Sequence, residues 1–159
     1  WRGAKTVALL DIRQVPDPVL HLVCEAVTDF DADLRRLSED MFETMYAAPG
    51  RGLAAPQVGI TKRMFVMDET WKAGDPSPMV FVNPVIMSAS DAVVTQPEGC
   101  LSIPGDLTGV TRPAEVSLRW QNLDGAWHEQ SFSGFAAACV QHEADHLDGI
   151  LIADEGRTT

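Results

Sequence analysis

The sequence predicts an α+β fold, and three features predict it. One amphipathic helical segment lies near the start, β-forming segments fill the middle, and a second helical segment comes near the end. Helices and strands thus fall in blocks and do not alternate as βαβ units would. Hydrophobic residues make up 45% of the 159-residue chain, enough for one packed core and too little length for two comfortable ones, so residues 1–159 are expected to form a single domain.

Each element has its own signal. Residues 11–28 read as loop, because Pro16 and Pro18 forbid a regular helix. Over 29–48, Leu34, Leu37, Met41 and Met45 recur at spacings of three and four and share one helix face. Asp29 or Asp31 can cap that helix, Pro49-Gly50 stops it, and Arg35, Arg36, Glu39, Asp40 and Glu43 form its solvated face. Strands are predicted over 63–69 and 78–87, with "WKAGDPSP" as a loop between them. Pro84 puts the second strand at an edge or at a bulge. Val116, Leu118 and Trp120 alternate with Glu115, Ser117 and Arg119, then Asp124-Gly125 turns the chain and Trp127 starts the return of a hairpin. "FAAACVQHEADHL" is helical, with Gly149 suited to a left-handed cap.

Charge and composition narrow the function. A net charge of -11 disfavours direct nucleic acid binding. No apolar run approaches the roughly 20 residues that span a bilayer, so no membrane partner is expected. The opening stretch "WRGAKTVALLDIRQ" is too weakly apolar to read as a signal peptide. Cys24, Cys100 and Cys139 are odd in number and widely spaced, which argues for a reducing compartment and against a disulfide framework.

The chemistry concentrates in "CVQHEADHLDG", residues 139–149. Residues four apart on a helix share a face, so His142 and His146 can reach one metal ion, with Glu143 beside them to handle protons. The apolar run Phe135, Ala136, Ala137, Ala138 and Val140 just upstream predicts a buried helix. A buried His-Glu-His cluster needs partners or a metal, since burying a charge without them is costly. A catalytic divalent metal takes three protein ligands and leaves one position open. Downstream, Asp148 is too near along the helix, and Asp154 and Glu155 lie in a short polar tail. Upstream, Cys100 in "PEGCLSIPG" is preferred over Cys24 and Cys139, because Gly99 allows close backbone approach and a metal would hold the thiolate. A lone cysteine is more often core, so all three stay candidates on spacing alone.

"GRGLAAPQVG", residues 50–59, lacks the ending of a phosphate loop. Its glycines suit a backbone running close to something, and Gln57 offers an amide donor for a developing oxyanion. An ordinary glycine-rich turn after a helix has the same composition.

Taken together, "GRGLAAPQ" (50–57), "EGCLS" (98–102) and "QHEADHLDG" (141–149) resemble the three motifs of the peptide deformylases, in order and suitably spaced. "PDPVL", "MYAAPG" and "RPAEVSLRW" extend the resemblance over nearly the whole chain. It implies antiparallel β-sheets around a central C-terminal helix that carries the His motif. It implies removal of the N-formyl group from formyl-methionyl nascent peptides, with release of formate. It also implies Cys100 as the third ligand, beside His142 and His146, to one divalent metal ion. Ferrous iron is the expected ion, and Zn2+, Ni2+ or Co2+ can fill the same donors. Glu143 is implied as general base and then acid, with the Gln57 amide and the Leu101 backbone N–H stabilising the oxyanion. The implied compartment is the bacterial cytoplasm, or an organelle that starts translation on formyl-methionine.

The same resemblance frames substrate binding. The backbone around Arg51-Gly52 and Gly99 can hydrogen-bond an extended peptide. Cys139, Ala138 and Phe135, three, four and seven positions before His142, share its helix face and should line the methionine pocket. Glu98 either pairs with Arg112 to steady the Cys100 segment or makes a plain surface ion pair. Arg51 departs from the aliphatic residue common in the family; it either favours a carboxylate-bearing group or faces solvent. The tail "ADEGRTT" is short and acidic, so ribosome docking through it is not expected. Two alternatives are a general HExxH endopeptidase and a non-catalytic peptide- or metal-binding member of the fold.

Overall fold

The computed structural model describes residues 8–154, leaving aside the side chain of Asp106. The start of the N-terminal stretch and most of the acidic tail, with the readings placed on them, lie outside the described residues. Asp31, not Asp29, caps the first helix: its carboxylate accepts the Leu34 N–H at 3.0 Å, and α1 runs Ala32–Ala47. Leu34, Met41 and Met45 are buried as their spacing predicts. On the outer face Arg35 pairs with Asp124 and Arg36 with Asp33.

Five strands form one antiparallel sheet: β1 Gly52–Ala54, β2 Met64–Asp68, β3 Pro78–Ala89, β6 Glu115–Gln121 and β7 Trp127–Ser133, in spatial order β1-β2-β3-β6-β7. The strand with Pro84 lies inside this sheet, so the edge alternative fails and the bulge holds. Register shifts between Val82 and Val85, and Asn83 takes φ 49°. The Asn83 side chain accepts the Val27 N–H and donates to the Val27 carbonyl and to Gln121, which fixes that conformation. In the β6–β7 hairpin Val116, Leu118 and Trp120 face the core, and Gly125 turns the chain at φ 84°.

The remaining two strands, β4 Val93–Cys100 and β5 Ile103–Pro113, pair antiparallel as a separate hairpin that the sequence reading did not predict. Pro97, Gly99, Gly105 and Gly109 interrupt both runs, and β4 is exposed along most of its length, so neither strand shows a clear alternation. Helix α2, Gly134–Leu147, contacts β1, β2, β6 and β7 of the sheet and β5 of the hairpin. Gly149 follows at φ 74°, where a Cβ would lie 2.6 Å from the His21 carbonyl oxygen. Among the described residues no helix is long and apolar enough to cross a membrane.

Candidate active site

Helix α2 holds His142 and His146 one turn apart with ring centroids 5.0 Å from each other. The end of β4 brings Cys100 to them: its Sγ lies 3.5 Å from His146 Nε2. One ligand atom from each of Cys100, His142 and His146 lies within 4.8 Å of the others. The rival thiols do not join this group. Cys24 is buried in the core, and burial pushes its thiol up to about 11. Cys139 lies on the cavity wall, its thiol raised by burial and by the nearby Glu143 charge. Asp148 pairs with Arg63 at 3.0 Å, Asp154 accepts the Leu151 N–H, and Glu155 lies outside the described residues.

A buried charge network steadies the donors. Glu98 lies 2.9 Å from His142 Nδ1, which leaves Nε2 as the ring nitrogen that could hold a metal. Arg112, 6% exposed, grips both Glu98 oxygens at 2.7 and 2.9 Å and reaches Asp145 at 3.0 Å. The Glu98–Arg112 pair is therefore buried and not a surface ion pair. Burial opposes charge on Glu98, but its bonds to His142 and Arg112 outweigh it and hold the carboxyl at about 2. Burial likewise opposes charge on His142; the Cys100 and Glu98 contacts and the Glu143 field overcome it and raise the ring to about 10. A metal competes with that proton for the ring.

Glu143 is buried, and burial pushes it up to about 7 against the lowering fields of His142 and Arg112. Its Oε1 has no hydrogen-bond partner. Gly52 explains how β1 passes so close: a Cβ there would lie 2.6 Å from Glu143 Oε2 and 2.8 Å from Cys139 Sγ. Gln57 is oriented by the Ala54 N–H, which donates to its Oε1 at 2.9 Å. Its Nε2 then donates to Ser102 Oγ at 3.1 Å and lies 3.7 Å from Cys100 Sγ.

Gln57, Glu98, Cys100, His142 and Glu143 border a cavity of about 640 Å³. Arg51, Gly52, Gly99, Phe135, Ala138 and Cys139 all line it, as do Gln57 and Leu101. Phe135 is 44% exposed, which places it at the rim and not in the buried body of the helix as its apolar run suggested. The sequence reading missed Gln96, Ile103 and Leu107 on the hairpin wall, Ser102 under Gln57, and Asp145 beside Arg112. Only Asp145 left a trace, as a carboxylate inside the His motif. A thiolate with two imidazoles fits a divalent transition metal, and the unpartnered Glu143 oxygen fits a carboxylate awaiting a proton donor in the same cavity.

Known proteins resemble the chain over most of its length. The family model described as Polypeptide deformylase matches residues 9–159. A peptide deformylase of Afipia carboxidovorans is 47% identical over 148 residues, covering 93% of this chain and 86% of that one. One from Zymomonas mobilis is 47% identical over 152 residues, with coverage of 93% and 86%. The crystal structure of peptide deformylase from Thermotoga maritima superposes with a TM-score of 0.86 at 41% identity, covering 91% of this chain and 95% of that one. That of Synechococcus elongatus, in complex with actinonin, gives 0.87 at 39% identity, with coverage of 90% and 78%. Fold, motif order and identity agree over the same residues, and the chain belongs to the peptide deformylase family.

Proposed function

We propose that Cys100, His142 and His146 hold one divalent metal ion and that Glu143, Gln57 and the Leu101 backbone carry out hydrolysis beside it. The reaction is that of the peptide deformylase family: the N-formyl group of a newly made polypeptide is hydrolysed, and formate and a free methionyl N-terminus result. What supports this assignment of roles is one cavity bordered by Cys100, His142 and a buried carboxylate with an unpartnered oxygen, with His146 buried behind them in the same three-donor cluster.

The bound ion supplies Lewis acidity, bringing the pKa of water toward neutrality. Glu143 takes the proton of the attacking water and returns it to the leaving amine. Gln57 Nε2 and the Leu101 N–H donate to the oxygen that gains charge on the formyl carbon. The Arg51-Gly52 and Gly99 backbones receive the peptide as an added strand, with β1 at the sheet edge. Cys139 and Ala138 wall the methionine side chain, with Phe135 at the rim. The ion is ferrous in the cell, the thiolate and imidazoles also accepting zinc, nickel or cobalt. The partners are formyl-methionyl nascent peptides in a bacterial-type cytoplasm.

The test is formate release from formyl-Met-Ala-Ser. Protein purified without oxygen should be the more active, since iron and thiolate are both oxidisable. Glu143→Ala should lose activity by about 10²–10⁴-fold while keeping its metal. Activity surviving in that variant sinks the acid–base assignment, and full metal occupancy in Cys100→Ser sinks the third ligand.

A further inference from the structure

The Arg51 side chain has no part in the hydrolysis just described, yet it belongs to the cavity wall. Its guanidinium carbon lies 4.8 Å from the centre of the Phe135 ring, and both residues border the cavity that holds Glu143 and His142. Its Nε is buried without a hydrogen-bond partner. Three carboxylates of this region, Asp68, Glu98 and Glu143, do not neutralise it. Asp68, whose N–H donates to the Arg51 carbonyl, has its own oxygens taken by the Tyr46 hydroxyl at 2.6 Å and the Ser77 N–H at 2.8 Å. Glu98 is engaged by Arg112 and His142. Glu143 Oε1 also lacks a partner, so it and the Arg51 Nε do not satisfy one another. A second cation, Lys72, borders the same cavity, although the chain as a whole carries a net charge of -11.

We infer that Arg51 is a specificity-determining residue that binds a carboxylate carried by the peptide substrate near its formylated end. The inference rests on the deformylase assignment of this cavity. A guanidinium presents a planar fork that takes a carboxylate through two parallel N–H···O bonds. That hold is stronger than stacking on an uncharged ring, and it gives the buried donor an acceptor. The position follows from Gly52, the next residue along, which sits against Glu143 and Cys139. Arg51 is thus one residue away from the reacting end, within reach of the first few residues of an extended peptide. The carboxylate comes either from an Asp or Glu side chain there or from the free C-terminus of a short peptide.

Three substrate pairs separate these sources: formyl-Met-Glu-Ser-amide against formyl-Met-Gln-Ser-amide, formyl-Met-Ser-Glu-amide against formyl-Met-Ser-Gln-amide, and formyl-Met-Ala-Ser as acid against amide. At least one pair should show a preference for the carboxylate on the order of fivefold in kcat/KM, carried mainly by KM and shrinking as salt is raised. The preference should vanish in Arg51→Leu and survive in part in Arg51→Lys. A preference in a Glu/Gln pair assigns the ligand to a side chain, and one only in the acid/amide pair assigns it to the C-terminus. Equal rates in all three pairs, or a preference that persists in Arg51→Leu, overturns the inference. Calorimetric titration of the products Met-Glu-Ser-amide, Met-Gln-Ser-amide, Met-Ser-Glu-amide, Met-Ser-Gln-amide and Met-Ala-Ser as acid and amide reads the same preference without turnover. Absence of formate release, which would overturn the deformylase assignment, is thereby told apart from equal binding, which overturns this one.

Discussion

In the five-stranded sheet every residue of β2 is buried, and Phe81 packs against Phe65, Trp120 and Phe132 at centroid distances of 4.5, 4.7 and 5.9 Å. The β4–β5 hairpin across the cavity has no such interior. β4 is exposed along most of its length, and the hairpin's buried anchors are Val110, Ser102 and Arg112. The sheet side, with α2 packed on it, is held by apolar burial, and helix geometry alone sets the spacing of His142 and His146. The hairpin side carries Cys100, and what ties it to α2 is largely ionic: Arg112 to Glu98 and Asp145, and Glu98 to His142. The proposed metal donors are thus placed by two kinds of physics, and substitutions should separate them.

The largest effect is expected from Arg112→Met. It leaves Glu98 buried beside His142 without its cation, a loss of about 3–5 kcal/mol in the unfolding free energy. Denaturant titration checks the stability, and metal analysis should show weaker retention, because Glu98 loses the cation that holds it against His142 and β5 loses its bond to Asp145 of α2. Unchanged metal content would show that apolar contacts place the hairpin after all. Next comes Glu98→Gln, which keeps the shape and weakens the ionic hold on His142. Metal affinity should fall about 10–100-fold, read by competition with a chelator. The stability loss should be smaller than in Arg112→Met, since the buried Arg112 keeps Asp145 as its counter-charge.

The two walls were unequally legible in the sequence. The helix side could be read because its rules are local: a four-residue spacing for His142 and His146, an alternation for Val116, Leu118 and Trp120, an apolar run ahead of Gln141. The hairpin could not, because Pro97, Gly99, Gly105 and Gly109 weaken the strand signal, and the ion pairs that hold it join residues distant in sequence. Locally only the glycine before it favours Cys100 over Cys24, which proves to be core, and it takes the resemblance of "EGCLS" to single it out. Glu98 and Arg112 could be paired on charge, but that the pair is buried and extends to His142 is a tertiary fact.

Tyr46→Phe probes the sheet side. Its hydroxyl donates to Asp68 Oδ2 at 2.6 Å, and Asp68 is fully buried, so the variant leaves one carboxylate oxygen unpaired. A stability loss of about 1–2 kcal/mol is expected with metal affinity unchanged, the reverse of Glu98→Gln. The pH dependence has a defined sign. Burial first, then the bond to Asp68 and its charge, raise the Tyr46 phenol above its ordinary value. A raised folded pKa gives stability that is complete below the unfolded value near about 10 and is lost as pH rises through the folded one. The wild type should therefore lose stability above about pH 10 more steeply than Tyr46→Phe, and parallel curves in alkaline melts would remove this account.

Asp145→Asn should have the smallest effect, and it decides how the ionic tie is divided. Arg112 reaches Asp145 through Nη1 at 3.0 Å, using a nitrogen that Glu98 does not need, and the Asp145 side chain is 27% exposed where Glu98 is 11%. Water screens the outer carboxylate, so its replacement should cost about 0.5–1 kcal/mol and change metal affinity less than about twofold. If Asp145→Asn instead matched Glu98→Gln in metal loss, the bond from α2 to Arg112 would be what draws the hairpin in, and the bidentate Glu98 pair would only orient the His142 ring. If it is as small as expected, the tie runs through Glu98 alone, and one carboxylate both orients the ring and joins the two walls.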